Sequence, residues 1–108
     1  MSASVNLDRE NHVVLMVLQA LLGLVSSDLL GVAVRVEQDR VLLYFAVDAL
    51  TPEVQEDIDD VVFETEVFLG RDVPVPEREI SVGYPALGWV GRNYRLVFLA
   101  KRDILGPD

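Results

Sequence analysis

The chain has 108 residues, with nine Lys and Arg against eighteen Asp and Glu for a formal charge of −9, and 51% of it is hydrophobic. That length and apolar content can build one domain with its own core, which argues against disorder. The acidity argues against nucleic-acid binding and for a basic partner. With no cysteine, disulfides, thiol catalysis and Cys-bearing zinc sites are excluded, and a reducing cytosol suits the composition.

The longest apolar run, residues 13–25, is interrupted by Gln19 and Gly23. Thirteen residues fall short of the roughly 20 that a membrane-crossing helix needs. Asp8, Arg9 and Glu10 precede the run, and Ser26, Ser27 and Asp28 follow it, which is not the pattern of a secretory signal. The expectation is a cytoplasmic protein without membrane contact, with residues 1–6 a loose tail and residues 7–108 a single α+β domain.

Residues 7–25 contain no proline, are rich in Leu, Val and Ala, and exceed strand length, so they predict a helix. His12, Gln19 and Gly23 share one narrow sector of its wheel, which predicts burial on most other sides, with Asp8 and Glu10 near its positive end. Residues 30–37 and 41–48 have the β-branched and aromatic bias of strands, and Gln38, Asp39 and Arg40 join them as a hairpin. Alternation places Val32, Val34, Val36, Val41, Leu43, Phe45 and Val47 on one face. Ala33, Arg35, Leu42, Tyr44 and Ala46 take the other.

Thr51-Pro52-Glu53 starts a second helix with a capping hydroxyl, a proline at the first turn and an acid at the positive end; Gly70 stops it. Its apolar stripe is Val54, Ile58, Val61, Val62, Phe68 and Leu69. Residues 78–84 and 94–101 predict two more strands, separated by the Pro- and Gly-punctuated segment PALGWVGRN. The order α-β-β-α-β-β predicts a mainly antiparallel four-stranded sheet, the last two strands forming a second hairpin, with two helices on one face.

Catalytic parts are missing. His12 is the only histidine and no GxSxG turn occurs, so a Ser-His-Asp site has no frame. Gly83, Gly88 and Gly91 are not followed by the Lys-Ser or Lys-Thr of a phosphate loop. Asp57, Asp60 and Glu64 stack at three-and-four spacing, but three acids on one helix do not complete a magnesium or calcium site. A solvated face explains them, so neither a cofactor nor an enzyme is expected.

The second helix holds Glu53, Glu56, Asp57, Asp59, Asp60, Glu64 and Glu66, and residues 41–70 include no Lys or Arg. At 100° per residue the acids lie opposite the apolar stripe, and Phe63 and Val67 fall among them. An apolar centre ringed by acids suits a basic protein: charge steers the encounter and Phe63 supplies buried contact. Self-association through this face, or contact with the chain's own tail, is the alternative.

Two other features point to association. The second sheet face, with Leu42, Tyr44, Ala46, Val97 and Leu99, would be left open by helices packed on one side, and a homodimer would cover it. The loop bearing Trp89 beside Arg92 and Asn93 is either a binding loop or a lid over a small core. Arg92, Arg95, Lys101 and Arg102 gather late, which predicts a charge dipole.

The segments QALLGLVSSDLLGVAVRV, VLLYFAVD and EDIDDVVFETEV resemble small acidic bacterial immunity proteins of contact-dependent and related polymorphic toxin systems, over about residues 12–70. The resemblance implies a cognate inhibitor that binds a toxin domain, commonly a nuclease, and blocks its active site or substrate surface. No functional residue follows from it by motif. The candidate contacts Glu56, Asp59, Asp60, Phe63, Glu64 and Val67 come from the helical wheel, with Trp89 from its loop. A non-enzymatic toxin inhibitor is the leading expectation, and a homo-oligomeric structural or adaptor domain pairing through the open sheet face is the other.

Overall fold

A computed structural model describes residues 3–22, 28–70 and 75–100. The elements in chain order are α1 (Ala3–Leu22), β1 (Leu29–Val36), β2 (Val41–Val47), α2 (Pro52–Leu69), β3 (Glu77–Val82), a 3-10 turn (Val90–Asn93) and β4 (Arg95–Leu99). The α+β order matches the sequence-based expectation. The four strands form one mixed sheet in the order β3-β2-β1-β4.

β1 and β2 form the expected hairpin, with Val34 opposite Leu43 and Val36 opposite Val41. Pairing residues of like face puts Val32, Val34, Val41, Leu43, Phe45 and Val47 into one core beneath both helices. From α1 that core receives Val13, Val14, Val17, Ala20 and Leu21, and from α2 Val54, Ile58, Val61, Val62 and Leu69.

Helix α2 starts and stops as its sequence dictates. The Val54 N–H donates to Thr51 Oγ1 at 3.1 Å, Pro52 occupies the first turn, and Gly70 closes the helix at φ 85°. A left-handed φ of that kind suits glycine, which has no Cβ to clash. Phe68, expected in the inward stripe, sits at its rim and is exposed, while Thr65 faces the core and is wholly buried. Near 20° on a wheel set at Val54, Thr65 lies inside the stripe; Phe68 lies near 320°, at its edge.

Helix α1 corrects two expectations. It begins at Ala3, so the helix includes residues 3–6 and Asp8 and Glu10 lie beyond its first turn. Glu10 instead accepts a hydrogen bond from Arg95 at 3.1 Å. Burial on most sides does not occur either: Leu7, Leu15, Leu18 and Leu22 are exposed. A sheet below and one neighbouring helix cover only part of a helix's circumference. Residues 23–25 of the predicted helix lie outside the described residues.

The second predicted hairpin is absent. β3 pairs parallel with β2, and β4 pairs antiparallel with β1 at the opposite edge. The reason is α2, which carries the chain back along the sheet so that β3 runs in the direction of β2, as a crossover connection requires. β3 and β4 then stand three strand spacings apart, about 14 Å. Residues 83–94 have to span that gap, and they do so across the second sheet face.

That face is therefore covered, contrary to the open surface expected. Leu30, Ala33, Leu42, Tyr44 and Ala46 are buried with Trp89, and Tyr84, Val90 and Tyr94 pack against them. Val97 belongs to the other side: a register shift between Val32 and Ala33 in the β1–β4 pairing lets both Val97 and Phe98 pack on the helix-side core.

Two outcomes test this packing. The Thr65 hydroxyl is buried without a hydrogen-bond partner, so Thr65→Val should stabilise the fold by about 1 kcal/mol, a rise of roughly 4–8 °C in thermal midpoint. A Cβ on Gly91 would lie 2.5 Å from the Trp89 ring, so Gly91→Ala should cost about 1–3 kcal/mol in chemical denaturation and red-shift the emission of the sole tryptophan.

Candidate partner-binding surface

Because the stripe centred on Ile58 and Thr65 faces the sheet, the opposite side of α2 must face outward. Phe63 is 60% exposed and Val67 55%, and Glu56, Asp59, Asp60 and Glu64 beside them are exposed as well. The six wheel-derived residues thus occupy one continuous outward face. The cap at Thr51 and the buried stripe hold that face on a fixed scaffold, so presenting Phe63 requires little further ordering.

Its charge is largely uncompensated. Asp59 pairs with Arg78 of β3, a contact that the helical wheel alone could not reveal. Glu56, Asp60 and Glu64 make no ion pair among the described residues. The described arginines, by contrast, are engaged. Arg9 donates to the Gln38 carbonyl at 2.8 Å, Arg35 pairs with Glu37, Arg40 with Glu77 at 2.9 Å, and Arg95 with Glu10. Arg92 donates twice to the Pro85 carbonyl, at 3.0 and 2.7 Å. The described cations are thus used locally, and among them only Arg78 reaches an acid of α2. Among the described residues no three His or acidic side chains come together as a metal site.

Trp89 does not join this surface. It is 9% exposed, on the sheet face away from α2, against Gly31 and Gly91. Above the same face the Tyr44 and Tyr94 rings stack at 5.4 Å, and the Arg35 guanidinium lies 4.9 Å from the Tyr94 centroid. The Tyr44 hydroxyl, as hydrogen-bond partner, holds that guanidinium above its ordinary pKa, with smaller help from Glu37. Leu87, at the tip of the same connection, is 87% exposed. Sequence reasoning passed over it, although its place between Ala86 and Gly88 in a turn-rich segment was the available signal.

The model of one protein family, described as MafI2 immunity protein, matches residues 10–83. The chain belongs to the MafI2 immunity protein family. No curated protein matches the chain. Toxin-neutralising immunity, exercised by binding a cognate toxin, is the function that membership carries. The matched residues run from Glu10 in α1 through β3 and include all of α2, so the acidic face lies within the family region; the Trp89 connection and β4 lie beyond it. No described helix of this MafI2 immunity protein is long and apolar enough to cross a membrane.

Proposed function

We propose that this immunity protein neutralises a toxin nuclease domain by laying the outward face of α2 on the basic surface where the nuclease holds its substrate. The observation that carries the reading is the exposed Phe63 and Val67 pair set among Glu56, Asp60 and Glu64, which have no described cation beside them. The carboxylates take the place of substrate phosphates. Phe63 and Val67 fill an apolar recess between the toxin's cations and exclude water from the charge contacts. No bond is made or broken, so the inhibitor acts by occupancy alone, in the cytoplasm of the cell it protects and as one component of a contact-dependent or related polymorphic toxin system.

Asp59 has a lesser part because Arg78 already neutralises it. Its carboxylate gains less from a second cation than the unpaired acids do. Trp89 shapes the opposite face and contributes to the fold rather than to this contact.

The partner is the toxin domain encoded beside this chain, and the test is its association with the purified immunity protein. Asp60→Lys combined with Glu64→Lys should slow association at least about tenfold, and raised salt should slow the native pair but not the reversed variant. Phe63→Ala should act mainly on dissociation, speeding it by about 30-fold. All three side chains are exposed, so circular dichroism should not change. Unchanged rates in every variant would overturn the reading.

A further inference from the structure

The outward face of α2 is too narrow to be a whole interface. Its 18 residues give a strip about 27 Å long and about 10 Å wide, or about 270 Å² in projection. Even doubled for the roughness of side chains, that area falls short of the roughly 800 Å² per partner that a stable complex buries. The contact has to continue onto a neighbour of α2.

The two neighbours differ. On one flank lies β3, where Arg78 pairs with Asp59 and Glu77 with Arg40, so charge there is already matched. On the other lies α1, packed beside α2 and over β1 and β4. Arg9 is the sole Lys or Arg of α1, and it is engaged at the Gln38 carbonyl. A basic partner meets no free cation on that side.

Two leucines of α1 share the outward direction of Phe63. The buried stripe of Val13, Val14, Val17, Ala20 and Leu21 centres on Val17, which places Leu15 and Leu22 about 160° and 140° round the wheel, within about 40° of straight away from the sheet. They are 57% and 80% exposed. Leu7 and Leu18, at about 80° and 100°, lie on the flank instead. Leu15 and Leu22 also fall within residues 10–83 of the family match, as Phe63 and Val67 do.

The helices run antiparallel. Arg9, in the first half of α1, reaches the turn between β1 and β2, whereas β2 delivers the chain to α2 at the other end of the sheet, where Val47 faces Leu29. Leu22 and Leu15 therefore stand beside the acidic first half of α2, and Phe63 and Val67 beside the first half of α1. The four apolar side chains make one row that crosses the helix pair diagonally, with the exposed Glu56, Asp60 and Glu64 along it.

We propose that the toxin lies across both helices, and that Leu15 and Leu22 complete the apolar part of the contact that Phe63 and Val67 begin. This inference rests on the α2 reading above and extends it to the shape of the partner: a folded basic domain whose surface bridges two antiparallel helices, not a cleft that admits one. Charge selects this occupant. A second copy on the same row would bring the acids of two chains, each carrying −9, onto one small interface. A basic surface gains from those acids while its apolar part covers the leucines.

Rates measured with the toxin domain encoded beside this chain test it. Leu15→Ala combined with Leu22→Ala should speed dissociation about tenfold and leave association unchanged, since no charge is altered. Leu7→Ala combined with Leu18→Ala, on the flank, should leave both rates unchanged. Phe63→Ala, measured alongside, separates the two readings. Faster dissociation with Phe63→Ala but not with the Leu15 and Leu22 pair would keep the α2 contact and overturn this extension, and native rates in both would overturn both. The free immunity protein checks the other occupants: the Leu15 and Leu22 variant should keep the sedimentation mass and thermal midpoint of the native chain. A fall in mass would put a second copy on these leucines, and a fall in midpoint would put another part of this chain there; either would overturn the proposal.

Discussion

The parallel pairing of β2 with β3 is the constraint on which the rest of the molecule depends. It requires α2 to travel back along the sheet with one side pressed to it, and this fixes both the buried stripe from Val54 to Leu69 and the outward row of Phe63 and Val67. It also sends β3 to one edge while β4 takes the other. The connection between them then has to cross the second face, where Trp89, Tyr84 and Tyr94 close it. One topological choice therefore shuts one side of the sheet with the protein's own chain and leaves the outer face of α2, in the layer on the other side, exposed.

Charge is distributed along the same division. The described cations lie on and around the strands, where they hold the turn, the β3 edge and the α1–β4 contact through Arg9, Arg40, Arg78 and Arg95. Exposed pairs of this kind add little to stability, of the order of 0–1 kcal/mol each, but they use up positive charge locally. Among the described residues, the α2 acids other than Asp59 have no such partner. The helix stays in place through its Thr51 cap and its buried stripe rather than through ion pairs. The surface proposed to meet the toxin can thus remain strongly negative without depending on that charge for its fold.

Local rules recovered much of this from sequence. Alternation in residues 30–48 set the register of the first hairpin, and Thr51-Pro52-Glu53 with Gly70 bounded α2, because both signals act between residues close in the chain. The misreadings were tertiary. Adjacent strand-like segments suggested a hairpin at β3 and β4, since nothing local records that a parallel partner has already claimed β3. PALGWVGRN left a binding loop and a lid over a small core both open, because the sheet beneath it was not visible, and the lid is what forms. The leucines of α1 suggested enclosure because composition counts apolar residues without showing how few neighbours reach them. The outward face of α2 was legible for the opposite reason: a helical wheel needs only the inward stripe, and five of the six residues assigned to that stripe are buried. The pairing of Asp59 with Arg78 joins elements far apart in sequence and lay outside its reach.

The account rests on α2 being the face that meets the toxin. An NMR footprint of the unlabelled toxin domain on the isotope-labelled immunity protein tests this most directly. The largest perturbations should fall on the Phe63 ring, the Val67 methyls and the side chains of Glu56, Asp60 and Glu64, with residues 84–94 unaffected. Perturbations concentrated on Leu87 and its neighbours, with Phe63 and Val67 unmoved, would contradict it.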